Sequence, residues 1–406
     1  MSFYDAIRVG ASGAAGDYEV ERSLRNDQGT ADVNNGSNLE HTYSSAGNRK
    51  TFTISLWVKK CGKAGDIGDG DDQYSMFSTG GGGSGAANGN LLFYNNDQLY
   101  FVSNPQPSAN ARFYTNRKFR DESAWYHIVV AVDTTQATES NRVKIYINGE
   151  QETDFSTATY PSQNADLEFN HAVRHRIGAN SLGSNLSHTY GNFNGYIAEF
   201  NFLDGYANDP SSFGETNSDT GQWNPKKYTG SYGSNGFYLN FLDNSGTTAT
   251  TLGKDSSGNG NNFTPNGYAT GDAVKDSPTN NFCTLRKYGE PSSSGSKLDD
   301  GNLEFHTGSS GSGDYGNRLC FNTIAPTSGK WYAEVCCNTT NYIFVGVHPY
   351  QAETAPTSSR TRWQGLYSYN GDNYLASTGS SASSSTYAAS YGLIWMNSNK
   401  NIISCI

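Results

Sequence analysis

The sequence predicts an all-β protein of antiparallel sheets, and two observations lead to that prediction. The first is a hairpin pattern in residues 124–150, where a polar loop joins two apolar runs. In the second run Val143, Ile145 and Ile147 alternate with polar or aromatic residues, and a period of two places each set on its own face of a strand. The Asn148-Gly149 pair that follows favours a tight turn, because both residues tolerate a positive φ.

The second observation is the composition. Glycine accounts for 46 of the 406 residues and aromatic residues for 13%, and no long apolar run follows the helical period. The formal net charge of −10 argues against a nucleic-acid-binding surface, which needs clustered Lys and Arg. No apolar run approaches the roughly 18 residues of a membrane span, and the first residues lack the basic and apolar parts of a secretory signal. We therefore expect a protein that folds in a cytoplasm, with no nucleic-acid partner and no membrane insertion.

Further strand patterns, bounded by turn residues, follow one another along the first half of the chain. They occupy residues 51–60, the hairpin 91–103, residues 175–180 and residues 193–205. In the last of these, one expected face carries Tyr196, Ala198, Phe200 and Phe202, and the other carries Ile197, Glu199 and Asn201. Short strands separated by turn signals are typical of a β-sandwich or jelly roll.

The chain divides into four segments. We expect an arm in residues 1–22, a first β-sandwich in 23–208, an irregular connecting region packed on it in 209–290, and a second β-sandwich in 291–406. The Ser/Gly-rich stretch around residue 295 favours a boundary there. In the last segment, residues 329–337 and 341–349 are predicted to pair as a hairpin, and Asn370-Gly371 is predicted to be the turn of another.

The residues do not form a catalytic pattern, so we expect no enzyme activity. Glu199 and Asp204 are five residues apart, which breaks the alternation of paired carboxylates on one strand, and Glu199 is expected to face solvent. His127 is expected to be a half-buried histidine with satisfied hydrogen bonds. His171 and His175 would need a third ligand to hold a metal. There is no G-x-S-x-G or P-loop motif, and six cysteines without a C-x-x-C pair are expected to be free thiols.

Two parts of the chain resemble known β-sandwich families. TFTISLWVKK, WYHIVVAVD, VKIYING and GYIAEF, within residues 20–208, are similar to strands of laminin-G-like (concanavalin A-like) domains. GKWYAEV followed by IFVGV, within residues 300–406, resembles the start of a SPRY domain. A SPRY domain continues with further strands, whereas here SYGLIWMNSNKNIISCI is the last stretch, so the resemblance implies a sandwich that is incomplete or completed by another subunit.

The whole string resembles the virion appendage proteins of marine tailed bacteriophages, including tail-fibre-like proteins of cyanophages. SAGNRKTFTISLWVKK, GYIAEFNFLDG and KDSSGNGNNFTP carry that likeness. It implies a bacteriophage structural protein located in the virion and assembled in the host cytoplasm. Most directly it implies a tail fibre that recognises host-surface glycans and so mediates adsorption of the particle to the host. The resemblance also implies a homotrimer that is attached to other virion proteins, such as a tail adaptor, a nozzle or the capsid. The alternatives are a capsid decoration or head-fibre protein and a secreted lectin-like adhesin.

Two loops are candidates for calcium, the ion that laminin-G-like domains often bind and that takes oxygen ligands. One set is Asp66, Asp69 and Asp71, with Asp72 beside them, and the other is Asp255, Asn259 and Asn261. Neither set has the spacing of an EF-hand loop, and a solvated polar turn is the simpler interpretation of each.

Aromatic residues in or beside loops are the candidates for sugar binding, because their rings can stack on sugars. They are Tyr114, Trp363, Tyr367, Tyr369 and Tyr374. Packing in a sandwich core is the alternative for each of them.

Overall fold

The computed structural model confirms the all-β class. It describes residues 18–27, 36–62, 73–80, 88–104, 111–180, 191–287, 297–299, 301–306, 320–323, 332–336, 343–347, 364–369, 372–376, 394–396 and 401–405. Within these ranges the strands are joined by turns and by short 3₁₀ helices at Glu139–Asn141, Pro210–Ser212 and Thr270–Asp272.

The chain divides into two compact units. The first contains the described residues up to Lys287 and those within Lys297–His306 and Phe321–Thr323, and the second contains most of the remaining described strands. The strands up to residue 274 are β1 (Ser23–Asn26), β2 (Asn38–Thr42), β3 (Thr51–Lys60), β4 (Gln73–Gly80), β5 (Asn88–Tyr94), β6 (Leu99–Asn104), β7 (Ala111–Thr115), β8 (Tyr126–Asp133), β9 (Val143–Ile147), β10 (Glu150–Glu152), β11 (Phe155–Thr159), β12 (Arg174–Ile177), β13 (Gly195–Asp204), β14 (Gly214–Thr216), β15 (Trp223–Pro225), β16 (Phe237–Leu239), β17 (Thr264–Asn266) and β18 (Ala273–Val274).

Two eight-stranded antiparallel sheets make the first unit a sandwich. The first sheet has the order β10-β9-β8-β3-β13-β1-β18, with β16 also paired to β13, and the second has the order β11-β7-β6-β5-β4-β12-β2-β17. Strands β16, β17 and β18 come from the segment that we expected to be an irregular connection. That segment therefore supplies strands to both sheets.

Phenylalanines from both sheets meet in the core between them. The ring of Phe77, on β4, lies 5.2 Å from that of Phe200 and 6.0 Å from that of Phe202, both on β13. Phe169 and Phe237 pack on the same ring. The alternation predicted for the opening hairpin is confirmed, since Val143, Ile145 and Ile147 are buried in this core. Asn148 and Gly149 both have positive φ, 50° and 84°, as the tight turn requires.

The alternation predicted for residues 193–205 is wrong at the centre of β13. Ala198 pairs with Trp57 of β3, but the next paired residue is Asn201, opposite Ser55. The extra residue forms a β-bulge, and Glu199 has a φ of 49° within it. The bulge puts Ile197 on the core side with Phe200, whereas period two had placed them on opposite faces.

A third layer covers the outer face of the first sheet. Trp57 and Tyr196 pack there against Val20 and Trp125, and Leu203 packs against the layer further along β13. Residues 18–22, at the end of the predicted arm, belong to this layer, because Val20 is 2% exposed. The layer explains why Glu199 does not face solvent as predicted: it is only 6% exposed.

The remaining strands follow residue 284. They are β19 (Leu285–Lys287), β20 (Lys297–Asp299), β21 (Glu304–His306), β22 (Cys320–Asn322), β23 (Tyr332–Cys336), β24 (Ile343–Val347), β25 (Gln364–Tyr369), β26 (Asp372–Ala376), β27 (Ile394–Met396) and β28 (Asn401–Cys405). The second unit contains two three-stranded sheets, β23-β28-β27 and β24-β25-β26. The predicted hairpin of residues 329–349 is wrong, because β23 pairs with β28 and β24 with β25. The hairpin around Asn370-Gly371 is confirmed by the pairing of β25 with β26.

Candidate functional site

A ladder of three half-buried tyrosines lies on the outer face of the second sheet. Tyr100 of β6 pairs directly with Tyr114 of β7, and their ring centroids are 3.8 Å apart at an interplanar angle of 19°. The ring of Tyr94, on β5, stacks on the other side of Tyr100 at 4.9 Å and 8°. Tyr114 is the one predicted sugar-binding residue in this unit, and the register places it at one end of the ladder.

A row of paired residues, all polar except one valine, runs beside the ladder across seven strands. Pairing connects, in order, Glu40, Arg176, Ser78, Asn90, Val102, Arg112 and Thr159. The Ser75 hydroxyl donates to Asn90 Oδ1 at 2.6 Å. This hydrogen bond sets the orientation of the Asn90 amide, whose Nδ2 group is the hydrogen-bond donor.

Part of the outer face is covered by a neighbouring segment of the chain. Ser78 donates to the Ala179 carbonyl, and Arg176 donates to the Asn180 carbonyl at 3.2 Å. Arg176 is consequently 3% exposed. The exposed part of the face lies over β7 and β11 and carries Arg112, and the half-buried tyrosine ladder reaches it at Tyr114; on β5 the outward residues Asn90 and Leu92 are buried.

The charged residues at described outward positions of this sheet are three arginines and one glutamate. Glu40 Oε2 accepts from Arg176 Nε at 3.0 Å and lies 3.9 Å from Arg174 Nε. Burial, and then the neighbouring Arg176 cation, lowers the pKa of Arg174. Arg112 lies on a different strand, two residues from Tyr114, so it extends the positive charge to the open part of the face.

The sequence analysis missed Tyr94, Tyr100 and Arg112. Tyr94 and Tyr100 belong to the predicted hairpin 91–103, and alternation from the turn at residues 95–97 would have placed both on its outer face. The stacking with Tyr114 could not be predicted, because it depends on the register between β6 and β7, which no local pattern determines.

The other predicted sugar-binding residues belong to the second unit. Tyr367 of β25 pairs with Tyr374 of β26, and Tyr369 is two residues along the strand, so the register places all three on one face. Trp363 lies outside the described residues.

The second predicted calcium set forms a hydrogen-bonded loop. Asp255 is buried, and its Oδ1 accepts from the backbone N–H groups of Tyr238 and Ser257. Its Oδ2 accepts from the Ser257 hydroxyl and from the Asn261 backbone N–H. These four hydrogen bonds already give the carboxylate a structural role. The calcium prediction for this loop stays a prediction.

The amides of Asn259 and Asn261 tie that loop to residues 233–236. Asn259 Nδ2 donates to the carbonyls of Gly233 and Gly236, and Asn261 Nδ2 donates to those of Ser234 and Gly236. Residues Asp66, Asp69 and Asp71, the first predicted calcium set, lie outside the described residues. In the ranges that are described, no three His, Cys, Asp or Glu side chains come close enough together to hold a metal ion.

His127 has the satisfied structural role that we predicted, in a fully buried position. Trp223 Nε1 donates to its Nδ1 at 3.0 Å, so the proton is on Nε2, which contacts the Ser55 hydroxyl at 3.0 Å. Burial lowers the pKa of His127 to about 3. The two histidines considered as metal ligands have different hydrogen-bond partners. His171 contacts the carboxylate of Glu168, whereas His175 forms hydrogen bonds with the backbone of Val173 and Asn170.

A buried carboxylate lies under the third layer. Glu199 accepts hydrogen bonds from the hydroxyls of Tyr18 and Tyr238, each at 2.8 Å, and the two hydroxyls lie 3.1 Å apart. Burial raises the pKa of Glu199 above its ordinary value of 4.5, and the tyrosine hydrogen bonds oppose that shift. The sequence analysis missed this cluster because its members are 181 and 39 residues apart along the chain.

The raised pKa of Glu199 predicts a pH-dependent stability. The folded protein binds this proton more tightly than the unfolded chain, so the contribution of Glu199 is full below its unfolded-state pKa and is lost as the pH rises through its raised folded-state pKa. We expect Glu199→Gln to gain stability relative to the natural protein as the pH rises from about 4 to about 8. Thermal melting across that range would measure the gain, and Glu150→Gln, at an exposed position, should show none. A constant difference between E199Q and the natural protein would contradict the prediction.

Comparisons with known proteins agree with this fold. Residues 31–210 match the family model Laminin_G_3, described as the concanavalin A-like lectin/glucanases superfamily. The resemblance seen in the sequence is thereby confirmed for that part of the chain. No curated protein matches the sequence. None of the helices in the described ranges is long and apolar enough to span a membrane.

The solved structures that match are distant in sequence, and their TM-scores are low. The heptameric SAP-like pentraxin from Limulus polyphemus is 12% identical, over 47% of this chain and 79% of that chain, with a TM-score of 0.33. Domain 4 of AbnA, an extracellular GH43 arabinanase from Geobacillus stearothermophilus solved with arabinotriose, is 16% identical, over 47% of this chain and 96% of that chain, with a TM-score of 0.29. With the two facing antiparallel sheets, the family match establishes a concanavalin A-like jelly roll.

Proposed function

We propose that this protein binds saccharides, without catalysis, through the open outer face of the second sheet. The observation that carries the proposal is the ladder of Tyr94, Tyr100 and Tyr114, three stacked, half-buried aromatic rings on the outer face of the second sheet. Tyrosines combine an apolar ring with a polar hydroxyl, which suits a ligand with both C–H and O–H groups. The match of residues 31–210 to a superfamily of lectins and glucanases supports the same ligand class.

The charges on this face favour acidic saccharides. Of the charged residues at described outward positions of this sheet, Arg174 and Arg176 lie beside Glu40 on the covered part, which leaves Arg112 as the charge beside the ladder, in a chain whose formal net charge is −10. Arg112 is the exposed member and adjoins the ladder. A guanidinium group forms strong, bidentate hydrogen bonds with carboxylate or sulfate groups. We therefore assign Arg112 the recognition of an acidic substituent on a sugar that contacts the ladder.

Tyr100→Ala tests the saccharide site. Removing the central ring should lower the affinity for a bound glycan by about tenfold or more, which corresponds to about 1.4 kcal/mol. A glycan array would identify ligands, and titration calorimetry would measure them. The matched control is Tyr146→Ala. Tyr146 is also half-buried, but it lies on the outer face of the first sheet, away from the ladder. If Y100A and Y146A bind alike while both remain folded, the ladder is not the site.

Arg112→Gln tests the charge preference at the same face. We expect it to weaken acidic glycans by about tenfold and to leave neutral ones nearly unchanged, because it removes one charge-assisted contact. Binding of acidic glycans by the natural protein should also fall as salt is added. An equal loss for charged and neutral ligands would show that Arg112 only supports the fold of the face.

We infer further that the protein is a structural component of a tailed-bacteriophage virion, as a tail fibre that recognises host glycans. The motifs similar to phage appendage proteins support this inference, and many copies on a particle would raise avidity. The inference includes a homotrimer, contacts with other virion proteins and a SPRY-like second unit. Cryo-electron microscopy of particles would test it: density at the tail would support a fibre, density on the shell would make it capsid decoration, and absence would favour a free lectin-like adhesin.

A further inference from the structure

A concavity lies in the layer that covers the first sheet. It is a groove of about 360 Å³ lined by Gly230, Ser231, Tyr232, Gly233, Ser234, Ser257 and Asn259. This volume is at the lower end of the range for small-molecule sites. The groove is formed by residues beyond position 210, outside the part of the chain that matches the concanavalin A-like family.

Hydrogen bonds hold the first wall of the groove in place. The backbone N–H of Asp204 donates to the Tyr232 carbonyl at 2.8 Å, and the Tyr228 hydroxyl donates to the Ser231 carbonyl at 2.9 Å. The Tyr232 hydroxyl donates to Asn201 on β13. Gly233 has a φ of 71°, and a Cβ there would lie 2.1 Å from the Asp204 carbonyl oxygen, so only glycine fits. These contacts attach the wall to β13 and to its own neighbouring residues.

The second wall is held by Asp255 and presents a defined acceptor. Asp255 fixes Ser257 through both its backbone N–H and its hydroxyl. Asn259 donates through Nδ2 to two backbone carbonyls, of Gly233 and Gly236, at 2.6 and 2.9 Å. The orientation of its amide is thereby determined, and Oδ1 is the atom that remains as an acceptor for an incoming hydroxyl.

The lining has no charged side chain. It contains three serine hydroxyls, one amide, two glycines and the partly exposed ring of Tyr232. The nearby carboxylate of Asp255 is buried behind the wall and already accepts four hydrogen bonds. Such a lining offers hydrogen bonds to hydroxyl groups and nothing to neutralise an ionic ligand, so it suits a neutral, polyhydroxylated molecule.

We propose that this groove is a second binding site, for one neutral sugar residue. The sugar would place hydroxyl groups against Asn259 Oδ1 and the hydroxyls of Ser231 and Ser234, with its apolar face toward Tyr232. The site is built on the cover of the first sheet, whereas the tyrosine ladder lies on the second sheet. It is thus separate from the acidic-glycan site and does not depend on it.

Ser234→Trp in the full chain tests the proposal by filling the groove at an exposed position. The probes are methyl glycosides of glucose, galactose, mannose and arabinose, measured by saturation-transfer NMR. We expect at least one probe to bind the natural protein, with its signal reduced at least about tenfold in S234W. Ser218→Trp, at an exposed position of the same layer, should retain the signal, as should Tyr100→Ala. Ser231→Ala removes one lining hydroxyl, which also accepts from the Gly233 backbone N–H at 3.4 Å, and should weaken the signal while the melting temperature stays close to that of the natural protein.

Each contrary result overturns the second site. Absence of a signal from all four probes, or equal signals in S234W and the natural protein, would do so. A signal lost in Y100A but kept in S234W would assign neutral sugars to the ladder, which leaves the proposed function standing. Loss of acidic-glycan binding in Y100A is measured separately, so failure at the ladder cannot be mistaken for failure at the groove.

Discussion

Replacing Lys59 by methionine is expected to lower the free energy of unfolding by about 3–5 kcal/mol, because the change leaves a buried carboxylate without its cation. Lys59 is fully buried on β3, and its Nζ donates to Asp276 Oδ2 and Asn281 Oδ1, each at 2.9 Å. It also donates to the Phe282 carbonyl. Asp276 is 3% exposed, so water cannot replace the lost ammonium group.

The environment of this pair explains why the loss should be large. The Trp125 indole donates to Asp276 Oδ1 at 3.1 Å, and the ring of Tyr196 lies 5.6 Å from Lys59 Nζ. Burial raises the pKa of Asp276, and the Lys59 ammonium group is the main influence that opposes the shift. Together these contacts attach residues 276–282 to the outer face of the first sheet.

Urea denaturation followed by tryptophan fluorescence would measure the loss. Lys226→Met is the control, because the ion pair of Lys226 is exposed: its Nζ lies 3.8 Å from Oε2 of Glu215, which is also exposed. We expect this variant to change the free energy of unfolding by no more than about 0.5 kcal/mol. The double variant K59M/D276N removes both charges and should be more stable than K59M. A loss of less than about 1 kcal/mol in K59M would show that the pair does not hold the layer in place.

Asp255→Ala should lower the free energy of unfolding by about 3 kcal/mol, because it leaves four donors, one buried and three partly buried, without their acceptor. The variant should also lose neutral-sugar binding, since Ser257 and the Asn261 backbone are no longer held. Asp243→Ala is the control: Asp243 likewise accepts from a serine, Ser245, but at an exposed turn. Equal melting temperatures for D255A and D243A would contradict the assigned role of Asp255.

Calcium addition distinguishes the two roles of the Asp255 loop. An ion bound only by the folded state raises the melting temperature with its concentration. A calcium-dependent rise that disappears in D255A would support the predicted ligand set of Asp255, Asn259 and Asn261. If the melting temperature does not change with calcium or with a chelator, the carboxylate serves hydrogen bonding alone.

The sequence predicted features that depend on neighbouring residues and failed where distant segments decide. Alternation placed Val143 and Ile145 correctly, because the period of a strand is a local property. It failed at Glu199, since one extra residue in β13 reverses every later side chain relative to the earlier ones.

The candidate site was predictable to the same extent. Tyr114 could be chosen as a loop-adjacent aromatic residue, but its partner Tyr100 required the register of β6 on β7. The groove required contact between residues 230–234 and 257–259. Pairs such as Lys59 and Asp276, 217 residues apart, leave no signal in a single sequence.

The position of β1 has a consequence for how the chain folds during synthesis. Residues 23–26 pair on one side with residues 195–197 and on the other with residues 273–274. At a translation rate of about 5–20 residues per second, the roughly 250 residues between β1 and β18 take about 12–50 seconds to appear. Throughout that delay Lys59, on the outer surface of β3, is without its partner Asp276. We therefore expect β1 to complete its native pairing only after residue 274 has been synthesised, late in the folding of this unit.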